Sequence, residues 1–309
     1  MTRLKATEAP TTRTTPTAGT ARTTSAAALL TALTLTTAIA TGGTASADTT
    51  PRSPGGWQES GSSSVNSLTG SQGLASRADG SLLYRGLGSI PLDLRTKGWS
   101  HIGDPDIADG HTVDAYQGGD DAKSKMFAVT TPDGKRYLYE HQLDAGEKLN
   151  NSFASVSPDN QWLVSGEWGD QPRLQVFPAP LLNSSTPPTG GALPQAGQIT
   201  LDKPVRDIQG CDFVSDTRLV CASNDASKEL WPEDRPILQV DLAHALDGKP
   251  VTGKVTSLFA APQRSLCRGT FETEGVDYDS ARRTLRVEVV PPVPCLVATS
   301  VYAYRPTTG

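Results

Sequence analysis

The densest run of groups able to do chemistry lies between His101 and His111, which also enclose Asp104, Asp106 and Asp109. Read as a strand over 100–107, His101 and Gly103 face one side while Ile102, Asp104 and Asp106 share the other. A gathering of carboxylate and amide oxygens suits a hard cation such as calcium, which takes several oxygen ligands at ~2.3–2.6 Å. Beside such an ion an acid or a histidine can act as base on a substrate that the metal polarises. The competing reading of each aspartate is a turn residue that hydrogen-bonds backbone amides. His111 follows a glycine turn and reads as a solvated strand residue, while His141 and His244 have no partner pattern. The many serines come without a nucleophile motif, which disfavours a serine hydrolase.

These groups need elements to hold them, and the elements predicted are short strands. Gly 29 and Pro 23 supply frequent turns, and helical periodicity is nearly absent. The best helical candidate, Val240 to Leu246, makes at most two turns. One unit recurs: a strand, a polar turn, a more apolar strand. The copies are 101–107 with 111–116, 152–156 with 161–168, 208–214 with 218–222, and 275–278 with 283–290. Most continue into a third strand, at 125–130, 173–177, 237–241 and 300–304. Their turns fall ~50–60 residues apart, near the ~40–50 of propeller blades. The expectation is an all-β β-propeller of four to five blades closed by pairing of its N- and C-terminal strands, with a β-sandwich as the alternative. Leu82 to Arg85 is the strand expected to close the ring. Aligning the copies on their turns makes Asp104, Asp212 and Asp277 equivalent. His101, Asp104, Asn151 and Glu274 are then the candidates for a central polar site, with Asp104 and Glu274 as ligands of a possible calcium ion.

The segment Ser155-Val156-Ser157-Pro158-Asp159-Asn160-Gln161-Trp162-Leu163-Val164 contains the match on which a resemblance rests. It resembles the S-P-D-x-x-x-L signature of the Pro-Asp repeats in periplasmic and secreted β-propellers. The run from His101 to Tyr116 is similar to the opening blade of secreted propellers that begin with a His-x-Gly-Asp strand. Over roughly residues 80–305 the chain resembles uncharacterised secreted β-propeller-like proteins of actinobacteria. The resemblance implies the fold and no activity. Lactonase-like and phosphatase-like secreted propellers hold calcium in a central ring, which makes a calcium-dependent hydrolase the alternative to an extracellular binding propeller, by analogy of fold only.

The N-terminus reads as an export signal. Arg3, Lys5, Arg13 and Arg22 precede the apolar stretch Ala26 to Ala40, and Ala45-Ser46-Ala47 is an A-x-A cleavage site. The stretch is shorter than the ~20 apolar residues of a membrane span, and no cysteine near the cleavage site offers a lipid anchor. Residues 1–47 are therefore expected to leave, 48–77 to be a disordered Ser/Gly/Pro-rich leader, and 78–309 to form the propeller. Four of 28 basic residues and one of 33 acids leave with the signal, so the mature chain carries 24 against 32, a net charge of −8. That excess of acid excludes a general electrostatic grip on nucleic acid. A secreted monomer is expected, with an extracellular protein, glycan or small molecule as partner.

All four cysteines lie in the exported part, and an even count in an oxidising compartment implies two disulfides. A turn at 215–217 sets Val214 opposite Arg218, and counting outward sets Cys211 opposite Cys221. Cys267 is left with Cys295. No phosphate-binding loop, dinucleotide fingerprint, nucleophile elbow, HExxH or CxxC occurs.

Overall fold

A computed structural model describes residues 56–149 and 153–307. The signal segment and Asn151 lie outside the described residues. What is described is all-β, apart from a single α-helical turn at Leu92–Arg95 and a 3-10 turn before it. In chain order the strands are β1 Trp57–Asn66, β2 Gly73–Ser76, β3 Leu82–Arg85, β4 His101–Ile102, β5 Asp106–Ala108, β6 His111–Gln117 and β7 Ser124–Thr130. They continue with β8 Arg136–Gln142, β9 Ser155–Val156, β10 Trp162–Ser165, β11 Asp170–Pro178, β12 Gly191–Ala192, β13 Gly197–Arg206 and β14 Ile208–Ser215. The last are β15 Arg218–Ser223, β16 Pro236–Leu242, β17 Val251–Ala260, β18 Glu272–Asp279, β19 Thr284–Val290 and β20 Ala298–Pro306.

Local chemistry explains the hairpins. Between β5 and β6 the two turn residues Asp109 and Gly110 both have positive φ, 48° and 73°, the conformation that a tight two-residue hairpin needs. The middle strands are buried on both faces: Lys125 to Val129 and Leu219 to Ser223 show no exposed position. A strand covered twice must sit between two packed layers, so the sheets stack face to face. β17 instead alternates, with Val251, Gly253 and Val255 inward and Thr252, Lys254 and Thr256 outward, because its far face meets solvent.

The sheet orders are β1-β20-β19-β18, β12-β8-β7-β6-β4 with β5 also on β6, and the pair β2-β3. An eight-stranded sheet runs β14-β15-β16-β17-β13-β11-β10-β9, its halves joined by the parallel pair β17 and β13. Free-edged strands end these runs at β2, β5, β9, β14 and β18, the eight-stranded sheet supplying two of them, β14 and β9. These five neighbour one another in a cycle, β2 beside β5, then β9, β14, β18 and back to β2.

Three expectations need correction. Residues 57–66 and 73–76, placed in a disordered leader, are strands β1 and β2. The polar run Ser60 to Ser64 hides β1 from a periodicity reading, since its side chains are mostly exposed and its gain is backbone pairing with β20. Trp57 and Val65 are its apolar anchors. It is therefore β1, not Leu82–Arg85, that pairs with the C-terminal strand, while Leu82–Arg85 pairs with β2. The helix sought at Val240 to Leu246 is the end of strand β16 and the turn after it.

Both disulfides form as the sequence implies, Cys211 with Cys221 and Cys267 with Cys295. The hairpin differs by one residue near its turn. Ser215, not Val214, lies opposite Arg218, and a bulge at Val214 restores the register at Phe213, so Cys211 still faces Cys221.

Candidate functional site

A free strand edge presents unpaired N–H groups, which need acceptors when buried. The five neighbouring edges meet this need with aspartates. Asp106 on β5 accepts the N–H of Val156 on β9 at 2.6 Å; Asp212 on β14 accepts that of Tyr278 on β18 at 2.6 Å; Asp277 on β18 accepts that of Ser76 on β2 at 2.6 Å. In each case the donor follows the corresponding residue of the next strand. The equivalent positions are therefore Ala75, Asp106, Ser155, Asp212 and Asp277. Ala75 and Ser155 offer no carboxylate to the strand after them. There the next aspartate takes over: Asp106 and Asp212 each bond the N–H of the residue after themselves, Ile107 and Phe213, at 2.6 Å.

Two residues earlier in the chain at each position lies a second level, made of Gly73, Asp104, Phe153, Gly210 and Gly275. Asp104 alone here bears a polar side chain, and it is fully buried. Its Oδ1 accepts the N–H of Leu74 at 2.9 Å and its Oδ2 that of Val276 at 3.1 Å, while its own backbone bridges Phe153. The glycines make the room. A Cβ on Gly210 would lie 2.1 Å from Oδ2, and one on Gly275 or Gly73 would lie 2.3 or 2.4 Å from Oδ1.

Electrostatics follow from enclosure and like charge. Burial pushes Asp104 well above the usual carboxylate range, and its two amide bonds offset this only in part. Burial lifts Asp106 to about 6, and burial followed by the charges of Asp106 and Asp277 raises Asp212 well up. Asp277 is raised by burial but held back by Ser76 and by Arg286, whose Nη1 lies 2.8 Å from its Oδ2. Below them Glu288 is fully buried with both oxygens lacking hydrogen bonds, and burial lifts it to about 8. The amides of Gly73 and Gly275 approach it without reaching hydrogen-bonding geometry.

The upper level opens into a funnel of 770 Å³. Asp106, Asp212 and Asp277 line its inner part, the exposed Asp109 and Asp216 its hairpin turns, and Arg77 and Arg282 are its cations. Phe213, Tyr278, Ile107 and Val156 supply apolar wall.

Of the residues singled out from sequence, Asp104 occupies the centre of the five strands. It is equivalent to Gly210 and Gly275, however, not to Asp212 and Asp277; Asp106 is their counterpart. Glu274 is buried on β18 and raised by burial, then by the charges of Glu272 and Glu288. It feels Glu288, as Asp104 does, but makes no hydrogen bond to Asp104. His101 is half-buried, is lowered by burial, and does not line the funnel. Among the described residues, Asp104 and Glu274 do not share a set of three ligand atoms within 4.8 Å of one another; the set that does is His141, Asp144 and Glu147. Each oxygen of Asp104 already accepts one backbone amide, those of Leu74 and Val276. Missed from sequence were Asp106 as the ring member, Ser76, Arg286 and Glu288. The Gly-x-Asp spacing at 210–212 and 275–277, set against Asp104-Pro105-Asp106, carried the true alignment.

No family model matches the chain, and no curated protein matches it. Among solved structures it is similar to the tail fiber of Staphylococcus aureus phage P68, at 11% identity and a TM-score of 0.31. That alignment covers 67% of this chain, which spans 50% of the fiber chain. A likeness at this level carries no argument about function. Among the described residues no helix is long and apolar enough to cross a membrane.

Proposed function

We propose that the protein is a secreted five-bladed β-propeller that binds a positively charged extracellular ligand in its axial funnel. The cycle of five edge strands, the strand β1 added to β20 and the two disulfides support the propeller and its oxidising address. The observation that carries the binding reading is the funnel, where five strand ends meet around aspartates that repel one another. A cationic group entering there relieves that repulsion, and the acidic mouth steers it in. A basic side chain of a partner protein or a polyamine has the right charge and size. The carboxylates at the bottom already serve backbone amides, so the reading is of binding rather than of acid–base catalysis.

Calorimetric titration of the secreted chain with spermidine, a lysine-rich peptide and a glutamate-rich peptide tests this. The two cations should bind, more weakly as salt rises, and the acidic peptide should not. Asp109→Asn and Asp216→Asn, which touch no amide of the ring, should each weaken binding about 1.5–5-fold, as for one exposed charge pair. Equal affinity for the acidic peptide, or no heat from either cation, overturns the reading.

A further inference from the structure

A second group of ionisable side chains lies away from the funnel, where the end of β8 meets the loop at residues 143–149. His141 is buried on β8, its ring held edge-on against Phe177 with centroids 4.9 Å apart. Its Nδ1 lies 3.1 Å from the carbonyl oxygen of Leu193. A carbonyl can only accept, so Nδ1 carries the hydrogen and the lone pair of the neutral ring sits on Nε2. That lone pair faces Oε2 of Glu147 at 2.8 Å. Two acceptors at this separation require something positive between or beside them.

A proton would satisfy a pair, but there is a third donor. The carboxylate of Asp144 reaches within 4.8 Å of both other ligand atoms, and it stands on the exposed side of the loop. The supporting contacts are those that hold metal ligands in place. The Leu193 carbonyl fixes the imidazole tautomer. The amide of Asp144 bonds Oε2 of Glu147 at 2.9 Å, and the ammonium of buried Lys125 takes the other oxygen, Oε1, at 3.2 Å. Lys125 is itself tied to the carbonyl of Gly166 and the side chain of Gln175. Glu147 is thus left with one oxygen turned toward His141 and Asp144.

We propose that His141, Asp144 and Glu147 bind one first-row divalent metal ion, with zinc the closest fit, and that the ion clamps the 143–149 loop onto β8. One imidazole nitrogen with two carboxylate oxygens is a zinc-type donor set, with bonds of ~2.0–2.2 Å. At such bond lengths the 2.8 Å separation corresponds to a bite of about 85–90°, and a few tenths of an ångström of loop movement opens it toward tetrahedral. The exposed side of Asp144 leaves the remaining position to water.

Equilibrium dialysis of the secreted chain against Zn²⁺, with metal counted by mass spectrometry, is the test, and the visible spectrum of the Co²⁺ form reports the ligand set. One ion per chain is expected. Asp144→Asn, at an exposed position, and His141→Gln should each weaken retention at least about tenfold. Asp144→Asn keeps the test decisive if His141→Gln does not fold. A wild-type chain that retains no zinc overturns the proposal and leaves the contact of His141 with Glu147 a purely structural one. Retention unchanged by both substitutions places the ion elsewhere and overturns it equally.

Discussion

Replacing Asp104 with alanine is expected to lower the unfolding free energy by about 2–6 kcal/mol. The change strands two buried N–H groups, those of Leu74 and Val276, at ~1–3 kcal/mol each. Leu74 and Val276 sit on β2 and β18, far apart in the chain, so the loss also loosens two sheets at once. Asp104→Asn retains one acceptor and turns an amide N–H toward the other donor, for roughly half the loss. Gly275→Ala attacks the same point from the other side. Its Cβ would lie 2.3 Å from Oδ1 of Asp104 and 2.6 Å from the backbone of Gly73, neither of which can swing away. Urea unfolding followed by tryptophan fluorescence measures all three. An Asp104→Ala midpoint equal to that of the wild type would show that the carboxylate holds nothing.

Stability is expected to fall as pH rises from about 5 to about 9. Glu288 is held at about 8 and Asp106 at about 6, both above their ordinary values of 4.5 and 3.8, with burial the main cause. Asp104, Asp212 and Glu274 are raised in the same sense. A carboxyl raised in the fold holds its proton more tightly there than in the unfolded chain. Its penalty is absent below the unfolded value, grows between the two values and is complete above the folded one. Within that window one group changes stability by about 1.4 kcal/mol per pH unit. Water in the funnel moderates the share of Asp106 and Asp212, so the fully buried Asp104, Glu274 and Glu288 should contribute most. Glu147 acts oppositely. Burial would raise it, but the close contact with His141, the charge of Lys125 and the Asp144 amide hold it at about 2. Its contribution is present above about 4.5 and is lost as pH falls toward 2, so the optimum lies near pH 5. Melting temperatures across pH 4–9 should show the fall, and Glu288→Gln should flatten it most between pH 5 and 8. Equal melting temperatures at pH 5.5 and 8.5 in the wild type would contradict the charge burial.

The hairpins were legible because their signals are local. Asp109-Gly110 and Pro158-Asp159-Asn160 name their turns, and the apolar runs at 125–130, 237–241 and 300–304 name the strands after them. The Cys211–Cys221 bridge was legible for the same reason, since a hairpin register is short-range arithmetic. β1 was not. Its stabilisation is backbone pairing with a strand more than two hundred residues away, and Gly61 and four serines leave no side-chain pattern to read.

The candidate site divides along the same line. Sequence alone determined the all-β class from its frequent turn residues, the Cys211–Cys221 pair from hairpin spacing and the Cys267–Cys295 pair by elimination. Tertiary structure decided that Asp106 belongs with Asp212 and Asp277, and that Asp104 fills space left by Gly73, Gly210 and Gly275. It also decided that Glu288 is buried without hydrogen bonds, and that Lys125, His141 and Glu147 meet. The physical reason is that a carboxylate's role depends on which N–H groups, charges and water reach it. Those neighbours come from strands whose separation along the chain places no constraint on their separation in space.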